Sequence, residues 1–202
     1  MGLTFVGGYI NTYAYIVRGG SFVSFQTGNI VRLSMAAAEF NMPMFFKHLL
    51  PVLFCFSGAC LAEIFRLLIK KTDWRFYVLL IEAFYLFLLG IRPHSADTFF
   101  KYSLSVFAGV HFYLFRVWEG MPHNLIATTG NVRGLAICFT NTWSDMKIEI
   151  MRFLRYSALF FSFPAGAFVG TIFSNSIGAY AAWPICLITI MWAILYRSKS
   201  EI

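Results

Sequence analysis

Charged residues are scarce in this chain of 202 residues: together they make up 12% of it, against 59% hydrophobic residues. Soluble domains carry about 25% charged residues, so this chain has too few charges to cover a water-facing surface. Acids are the scarcer sign, with 9 Asp and Glu against 16 Lys and Arg, for a net charge of +7. Short basic loops that fix membrane orientation explain this excess, so we expect no nucleic-acid partner.

The motifs of common catalytic and metal sites are missing as well. The sequence has no Gly-x-Ser-x-Gly elbow, no His-Glu-x-x-His helix and no Gly-Lys-Ser phosphate loop. Its four cysteines form no Cys-x-x-Cys pair. Each lies in an apolar stretch, where a free thiol behaves as a small hydrophobic side chain. We therefore predict no enzyme activity, no cofactor and no bound metal.

Long apolar runs dominate the chain instead. Four of them have the length of ordinary membrane-spanning helices, which need about 20 apolar residues. These runs are 49–68, 76–91, 153–173 and 177–196, the last two joined by the uncharged turn 174–176.

Two further apolar stretches, Leu3–Ala38 and Phe99–Thr142, are too long for one crossing. A continuous helix of ~36 residues would be ~54 Å long, whereas the hydrocarbon core of a bilayer is ~30 Å thick. Each stretch contains residues that end helices, namely Gly19-Gly20 in the first and Gly120-Met121-Pro122 in the second. We predict that both helices break at these points.

The two broken stretches share a short motif, which indicates an internal repeat. Thr27-Gly28-Asn29 is followed by a β-branched pair and an arginine, and Thr129-Gly130-Asn131 by a valine and an arginine. Further on, Gly58-Ala59 and Gly166-Ala167 open two similar segments, whose small residues favour close helix packing. Two matches in the same order predict a duplicated unit, at approximately 1–92 and 99–199 of a single transmembrane domain over 1–202.

Each unit combines one broken helix with two plain helices, and three crossings invert the second unit relative to the first. We therefore predict an all-α membrane protein with about six crossings in two inverted three-helix repeats, the first helix of each broken near Thr-Gly-Asn. Such repeats are typical of many secondary transporters. The basic residues Lys70, Lys71 and Arg75 place one connection in the cytoplasm, whereas the corresponding turn 174–176 has no charge. Both termini are then cytoplasmic.

These motifs resemble a known family. Gly8-Tyr9-Ile10, the pair Gly19-Gly20 and the two Thr-Gly-Asn copies are similar to those of the YoaK-like family, bacterial multi-pass membrane proteins grouped under a domain of unknown function. The resemblance covers nearly the whole chain and implies a location in the bacterial cytoplasmic (inner) membrane. It implies no activity. An acid is usual after Gly-Tyr-Ile in the family, where this chain has Asn11, so any proton coupling at that acid would be absent here.

A helix that restarts at each Thr-Gly-Asn motif would direct its N-terminus into the protein. The free N–H groups and the macrodipole of such a start attract anions. Threonine can cap it, glycine permits close approach, and an arginine within a span is a functional candidate. The alternative is that the motif packs helices and that each arginine snorkels to an interface. The predicted substrate-binding residues are Thr27, Gly28, Asn29, Arg32, Thr129, Gly130, Asn131 and Arg133.

Three other polar residues within apolar stretches are candidates for ion coupling or polar contacts: Asn11, Glu82 and His111. Glu82 is either a proton-coupling carboxylate or the structural partner of an arginine. His111 is either a titrating group or a hydrogen-bonded part of the core.

These features predict a small secondary transporter or permease that binds a small anion or anionic metabolite at the two helix N-termini. Two alternatives stay open: an anion channel with the same site, and an intramembrane enzyme or assembly partner without transport activity. The expected partners are the lipid bilayer and a small-molecule or ion substrate. A homodimer is a further expectation, because six helices give a thin wall for a two-sided gate.

Overall fold

The computed structural model describes residues 1–69, 74–91, 98–115, 117–118, 121–122, 128–141 and 146–200. Lys70, Lys71 and Gly120 lie outside the described residues. Within them the chain is mostly helical, and the exceptions are one short hairpin and the irregular connections between helices, of which 18–25 is the longest described. The helices are α1 (Gly2–Val17), α2 (Gln26–Ala38), α3 (Met42–Leu68), α4 (Trp74–Ile91), α5 (Thr98–Leu114), α6 (Thr128–Asn141), α7 (Met146–Ile177), a 3₁₀ turn (Gly178–Ala181) and α8 (Ala182–Ser200), and the strands are β1 (Val117–Trp118) and β2 (Met121–Pro122).

Three described helical stretches are long and apolar enough to cross a membrane: Met42–Leu68, Trp74–Ile91 and Glu149–Arg197. The third has 49 residues and comprises most of α7, the 3₁₀ turn and most of α8. A straight helix of that length would be ~74 Å long, but the chain turns at Gly178 between α7 and α8. Tyr102–Leu114 forms a shorter apolar helix. The predicted all-helical class is confirmed, and these helices are compatible with a membrane protein.

Both predicted helix breaks are confirmed. α1 ends at Val17, and the next residues include Gly19 and Gly20 at φ 98° and 77°. Side chains rarely adopt such positive φ values, whereas glycine does so at little cost. In the second stretch, α5 ends at Leu114 and the two-residue strands β1 and β2 pair before α6 begins.

The turn between the last two helices lies later than 174–176, so that prediction is wrong. α7 continues through these residues to Ile177. Gly178 follows at φ 57° and starts the 3₁₀ turn. The chain turns where a glycine tolerates the left-handed conformation, whereas the serines and asparagine before it remain helical.

The closest helix pairs bring backbone against backbone at glycines. α1 packs on α7, and α5 packs on α3. A Cβ atom at Gly8 would lie 2.0 Å from the carbonyl oxygen of Phe163, and one at Gly166 would lie 2.0 Å from that of Phe5. These positions therefore exclude any side chain unless the helices separate.

The α3–α5 pair has the same construction. A Cβ atom at Gly58 would lie 2.0 Å from the carbonyl oxygen of Val106, and one at Gly109 would lie 1.9 Å from that of Cys55. The predicted close packing at Gly58 and Gly166 is confirmed. α4 packs on α8, α2 on α3 and α6 on α7.

Candidate functional site

The segment 18–25, which we call the first break, is held against α1 by the side chain of Asn11. Its Oδ1 accepts hydrogen bonds from the backbone N–H groups of Val23 and Ser24, at 3.2 and 3.1 Å. Its Nδ2 donates to the Gly7 carbonyl oxygen at 2.8 Å and to Ser24 Oγ at 2.6 Å. A primary amide has two donors and two acceptor sites, so all four are in use.

These bonds require the chain to fold back on itself. α1 continues for six residues beyond Asn11 to Val17, a rise of ~9 Å, yet Ser24 lies again beside Asn11. α2 then starts at Gln26, whose Nε2 donates to the Val23 carbonyl oxygen at 2.8 Å, and α2 packs on α3. The first break thus folds back toward the middle of α1.

The first Thr-Gly-Asn motif lies in the first turn of α2, as predicted. The N-cap residue is Phe25, with no side-chain cap, and Thr27 is exposed, so the expected capping by Thr27 does not occur. A Cβ atom at Gly28 would lie 2.3 Å from the Phe25 ring. Gly28 therefore lets the Phe25 ring pack closely against the backbone of α2.

Asn29 is fully buried and supports the first break from the other side. Its Nδ2 donates to the Phe22 carbonyl oxygen at 2.8 Å and to Gln26 Oε1 at 3.1 Å. Its Oδ1 has no hydrogen-bond partner among the described residues. The packing interpretation of the motif accounts for these two donated bonds, while the free acceptor oxygen leaves room for a polar ligand or a water.

Arg32 is half-buried and stacks on aromatic rings. Its Cζ lies 5.6 Å from the ring centroid of Tyr15 and 5.3 Å from that of Phe22. Within the described part of the chain, Arg32 forms no salt bridge with an acid. Its positive charge therefore sits next to the first break, held by cation–π attraction.

The second Thr-Gly-Asn motif lies in the first turn of α6, which begins at Thr128. Asn131 is fully buried, whereas Gly130 and Arg133 are exposed, and the side chain of Thr129 lies outside the described residues. α2 packs on α3 and α6 on α7, and these two short helices do not touch within the described ranges. The structure thus places the two sets of predicted binding residues at two separate locations.

The other three predicted polar residues come together in one place. Glu82 on α4 and His111 on α5 are 2% and 4% exposed, and Glu82 Oε2 lies 3.0 Å from His111 Nε2. Neither atom has a hydrogen bond of good geometry among the described residues. The sequence left two interpretations of Glu82: a proton-coupling carboxylate or the structural partner of an arginine. The ionisable side chain next to Glu82 in the structure is a histidine and not an arginine.

Both side chains line a small cavity of about 20 Å³, a volume that holds about one water molecule. The first break forms one side of this cavity, next to Asn11. The remaining lining is apolar. The lining residues are Val6, Gly7, Ile10, Asn11, Val23, Ser24, Glu82, Leu104, Ala108 and His111.

Arg18, which the sequence-based analysis missed, is buried at the start of the first break. Its Nη2 donates to the Tyr13 hydroxyl at 2.7 Å and to the Leu89 carbonyl oxygen at 2.6 Å. It thereby ties the end of α1 to the end of α4. A basic residue directly before Gly19-Gly20 was the signal available in the sequence.

A family model described as "Protein of unknown function (DUF1275)" matches residues 1–195. The match covers nearly the whole chain, so the protein belongs to this family, in which the YoaK-like members are included. The resemblance inferred from the Gly-Tyr-Ile and Thr-Gly-Asn motifs is thereby confirmed. No curated protein and no solved structure matches the chain.

Proposed function

We propose that this family member is a small secondary transporter of the bacterial inner membrane that carries a small anion. Its two halves are inverted repeats of three crossings each, both termini are cytoplasmic, and the halves move against one another to expose the site alternately. The first break and the cavity beside it form the site.

The repeat is supported by the way the helices pair. Under a repeat, α1 corresponds to α5, α2 to α6, α3 to α7 and α4 to α8. The pair α1–α7 then corresponds to α5–α3, the pair α2–α3 to α6–α7, and α4–α8 to itself. The glycines follow the same rule, since Gly8 corresponds to Gly109 and Gly166 to Gly58, and each meets a backbone carbonyl.

The observation that carries the proposal is the position of the first break. Irregular backbone at membrane depth occurs where it is buried in protein or lines a cavity, and here Val23 and Ser24 line one. The other walls come from α1, α4 and α5, and therefore from both proposed halves. A polar site at the interface of two repeats, beside a discontinuous helix, is the typical arrangement of a secondary transporter.

The charge near the first break favours an anion. Arg32 contributes a positive charge that no described acid neutralises, and the start of α2 adds the positive end of its dipole. The cavity of about 20 Å³ is small, which favours a compact ion. A larger anionic metabolite would need a substantial opening of the first break.

Uptake into proteoliposomes tests this function. We expect the purified protein to take up at least one of chloride, nitrate, formate and phosphate with saturation. We expect Arg32→Gln to slow uptake roughly 10- to 100-fold, because a bond to a charged group contributes about 1.5–3 kcal/mol. Arg133→Gln tests the second motif in the same assay.

Arg197→Gln is the matched control, because Arg197 also stacks on an aromatic ring, 5.3 Å from the centroid of Phe76, but is exposed near the C-terminus. It should transport like the wild type. Unchanged uptake in both Arg32→Gln and Arg133→Gln would contradict the anion site. Voltage-driven flux far above ~10³ ions per second, faster than a μs–ms conformational cycle readily allows, would identify a channel.

A further inference from the structure

We infer that the buried Glu82–His111 pair is the coupling site of this transporter: it binds the proton that moves together with the anion. This inference rests on the proposed function and adds the coupling ion and its stoichiometry. The pair joins α4 of the first half to α5 of the second, and it faces the cavity that the first break closes.

The Glu82–His111 pair can hold one proton or two, and burial makes the free energies of these two states unequal. With one proton the pair is neutral overall, whether the proton resides on the carboxyl or makes the imidazole cationic. With two protons the pair carries one positive charge, and a buried unpaired charge is strongly unfavourable. A monovalent anion in the cavity cancels that charge. The second proton and the anion therefore stabilise one another and enter and leave together.

The described lining of the cavity contains no other charged side chain, and Arg32 is not part of that lining. Among the described residues that line the cavity, Glu82 and His111 are the ionisable ones, and the amide of Asn11 is fully used in holding the first break. Helices packed against α4 and α5 carry other titratable groups. These are Tyr9, Tyr13 and Tyr15 of α1, Lys47, His48, Cys55, Cys60, Glu63 and Arg66 of α3, Tyr180 of the 3₁₀ turn, and Cys186, Tyr196 and Arg197 among the described side chains of α8.

Most of these groups have partners of their own. The Tyr9 and Tyr13 hydroxyls donate to carbonyl oxygens of the 3₁₀ turn, Ala181 at 2.7 Å and Ala179 at 3.3 Å. The thiol of Cys186 donates to the carbonyl oxygen of Ala83. None of these three groups lines the cavity.

Glu63 is the other carboxylate within reach of α5, and it is engaged elsewhere. It forms a salt bridge with Arg66 at 2.6 Å and accepts a hydrogen bond from the Tyr113 hydroxyl. Its side chain is 39% exposed, and it lies outside the cavity lining. Glu63 is therefore a matched control for Glu82.

The test uses the full-length protein in proteoliposomes with chloride and with nitrate, anions whose acids do not cross the bilayer in neutral form. With an alkaline interior and the membrane potential clamped at zero, the wild type should accumulate the anion about tenfold per pH unit. An internal pH dye should record one proton per anion. Glu63→Gln should behave the same way.

His111→Gln should still exchange labelled anion at a reduced rate but should lose the accumulation, with the inside-to-outside ratio falling from about ten to one. Glu82→Gln should transport more slowly but keep the accumulation, because its amide stands in for the protonated carboxyl while His111 still takes up the second proton. Wild-type anion uptake without proton uptake would overturn the inference while leaving the proposed function standing. Accumulation by His111→Gln at the wild-type level would overturn it as well. If the wild type takes up neither these anions nor any other in the panel, the proposed function itself fails.

Size-exclusion profiles establish whether each variant is folded. If His111→Gln does not fold, the proton-to-anion ratio of the wild type still decides the question.

Discussion

Replacing Gly109 by alanine is expected to lower the melting temperature of the detergent-solubilised protein by roughly 6–12 °C. The new methyl carbon would lie 1.9 Å from the carbonyl oxygen of Cys55 and 2.8 Å from the amide nitrogen of Ala59. Backbone atoms in a helix cannot rotate aside, so α3 and α5 must separate. Overpacking of this kind costs about 3 kcal/mol.

Helix propensity predicts the opposite sign, which makes the experiment decisive. Alanine stabilises the interior of a helix by about 1 kcal/mol relative to glycine, so Gly109→Ala should raise the melting temperature if α5 did not touch α3. Fluorescence-detected size exclusion after heating measures the change. A melting temperature at or above that of the wild type would show that the helices are not packed at this glycine.

Two further glycines complete the comparison. Gly28→Ala is the control, because the atoms its Cβ would meet belong to the ring of Phe25, a residue that is 47% exposed and whose side chain can rotate at the cost of its edge contact with Phe22. It should shift the unfolding free energy by no more than about 1 kcal/mol. Gly8→Ala should match Gly109→Ala, because a Cβ atom there would meet the carbonyl oxygen of Phe163 at 2.0 Å. Equal losses would support the inverted repeat.

The sequence was sufficient to predict those elements that depend on local signals. The apolar runs located α3, α4, α7 and α8, and the glycines located the first break, because helix length and backbone freedom are properties of short segments. The pair Glu63–Arg66, three residues apart on one helix, is a contact of the same local kind. Each of these features follows from neighbours along the chain.

Neighbours along the chain could not predict which side chains of different helices meet. Glu82 and His111 meet only because α4 and α5 have particular rotations and depths, which composition does not encode. The same limit applies to the Thr-Gly-Asn motifs, whose similarity suggested one shared site although α2 and α6 pack on different helices. The burial of Arg18 also depends on distant partners, the Leu89 carbonyl among them.

Asn11 was singled out in the sequence for the acid it replaces, yet its importance lies in the backbone groups that it satisfies. Replacing it with leucine is expected to free the first break. The N–H groups of Val23 and Ser24 would lose their acceptor, and each unpaired buried polar group costs about 1–3 kcal/mol. We expect these two amides to exchange hydrogen for deuterium about 30-fold faster, which corresponds to a loss of about 2 kcal/mol.

Two further variants, Asn11→Asp and Ser24→Ala, distinguish the effect of the acceptor oxygen of Asn11 from the effect of the bonds that its Nδ2 donates. Aspartate keeps an acceptor oxygen for Val23 and Ser24 and loses the donor to Gly7, so its effect on exchange should stay below about tenfold. Ser24→Ala removes the hydroxyl partner at 2.6 Å but leaves both N–H bonds to Asn11, and should preserve protection. Protection in Asn11→Leu equal to that of the wild type would mean that the first break holds its shape without Asn11. In that case the stacked Arg32 and the buried Asn29 are the contacts that would hold the segment in its place.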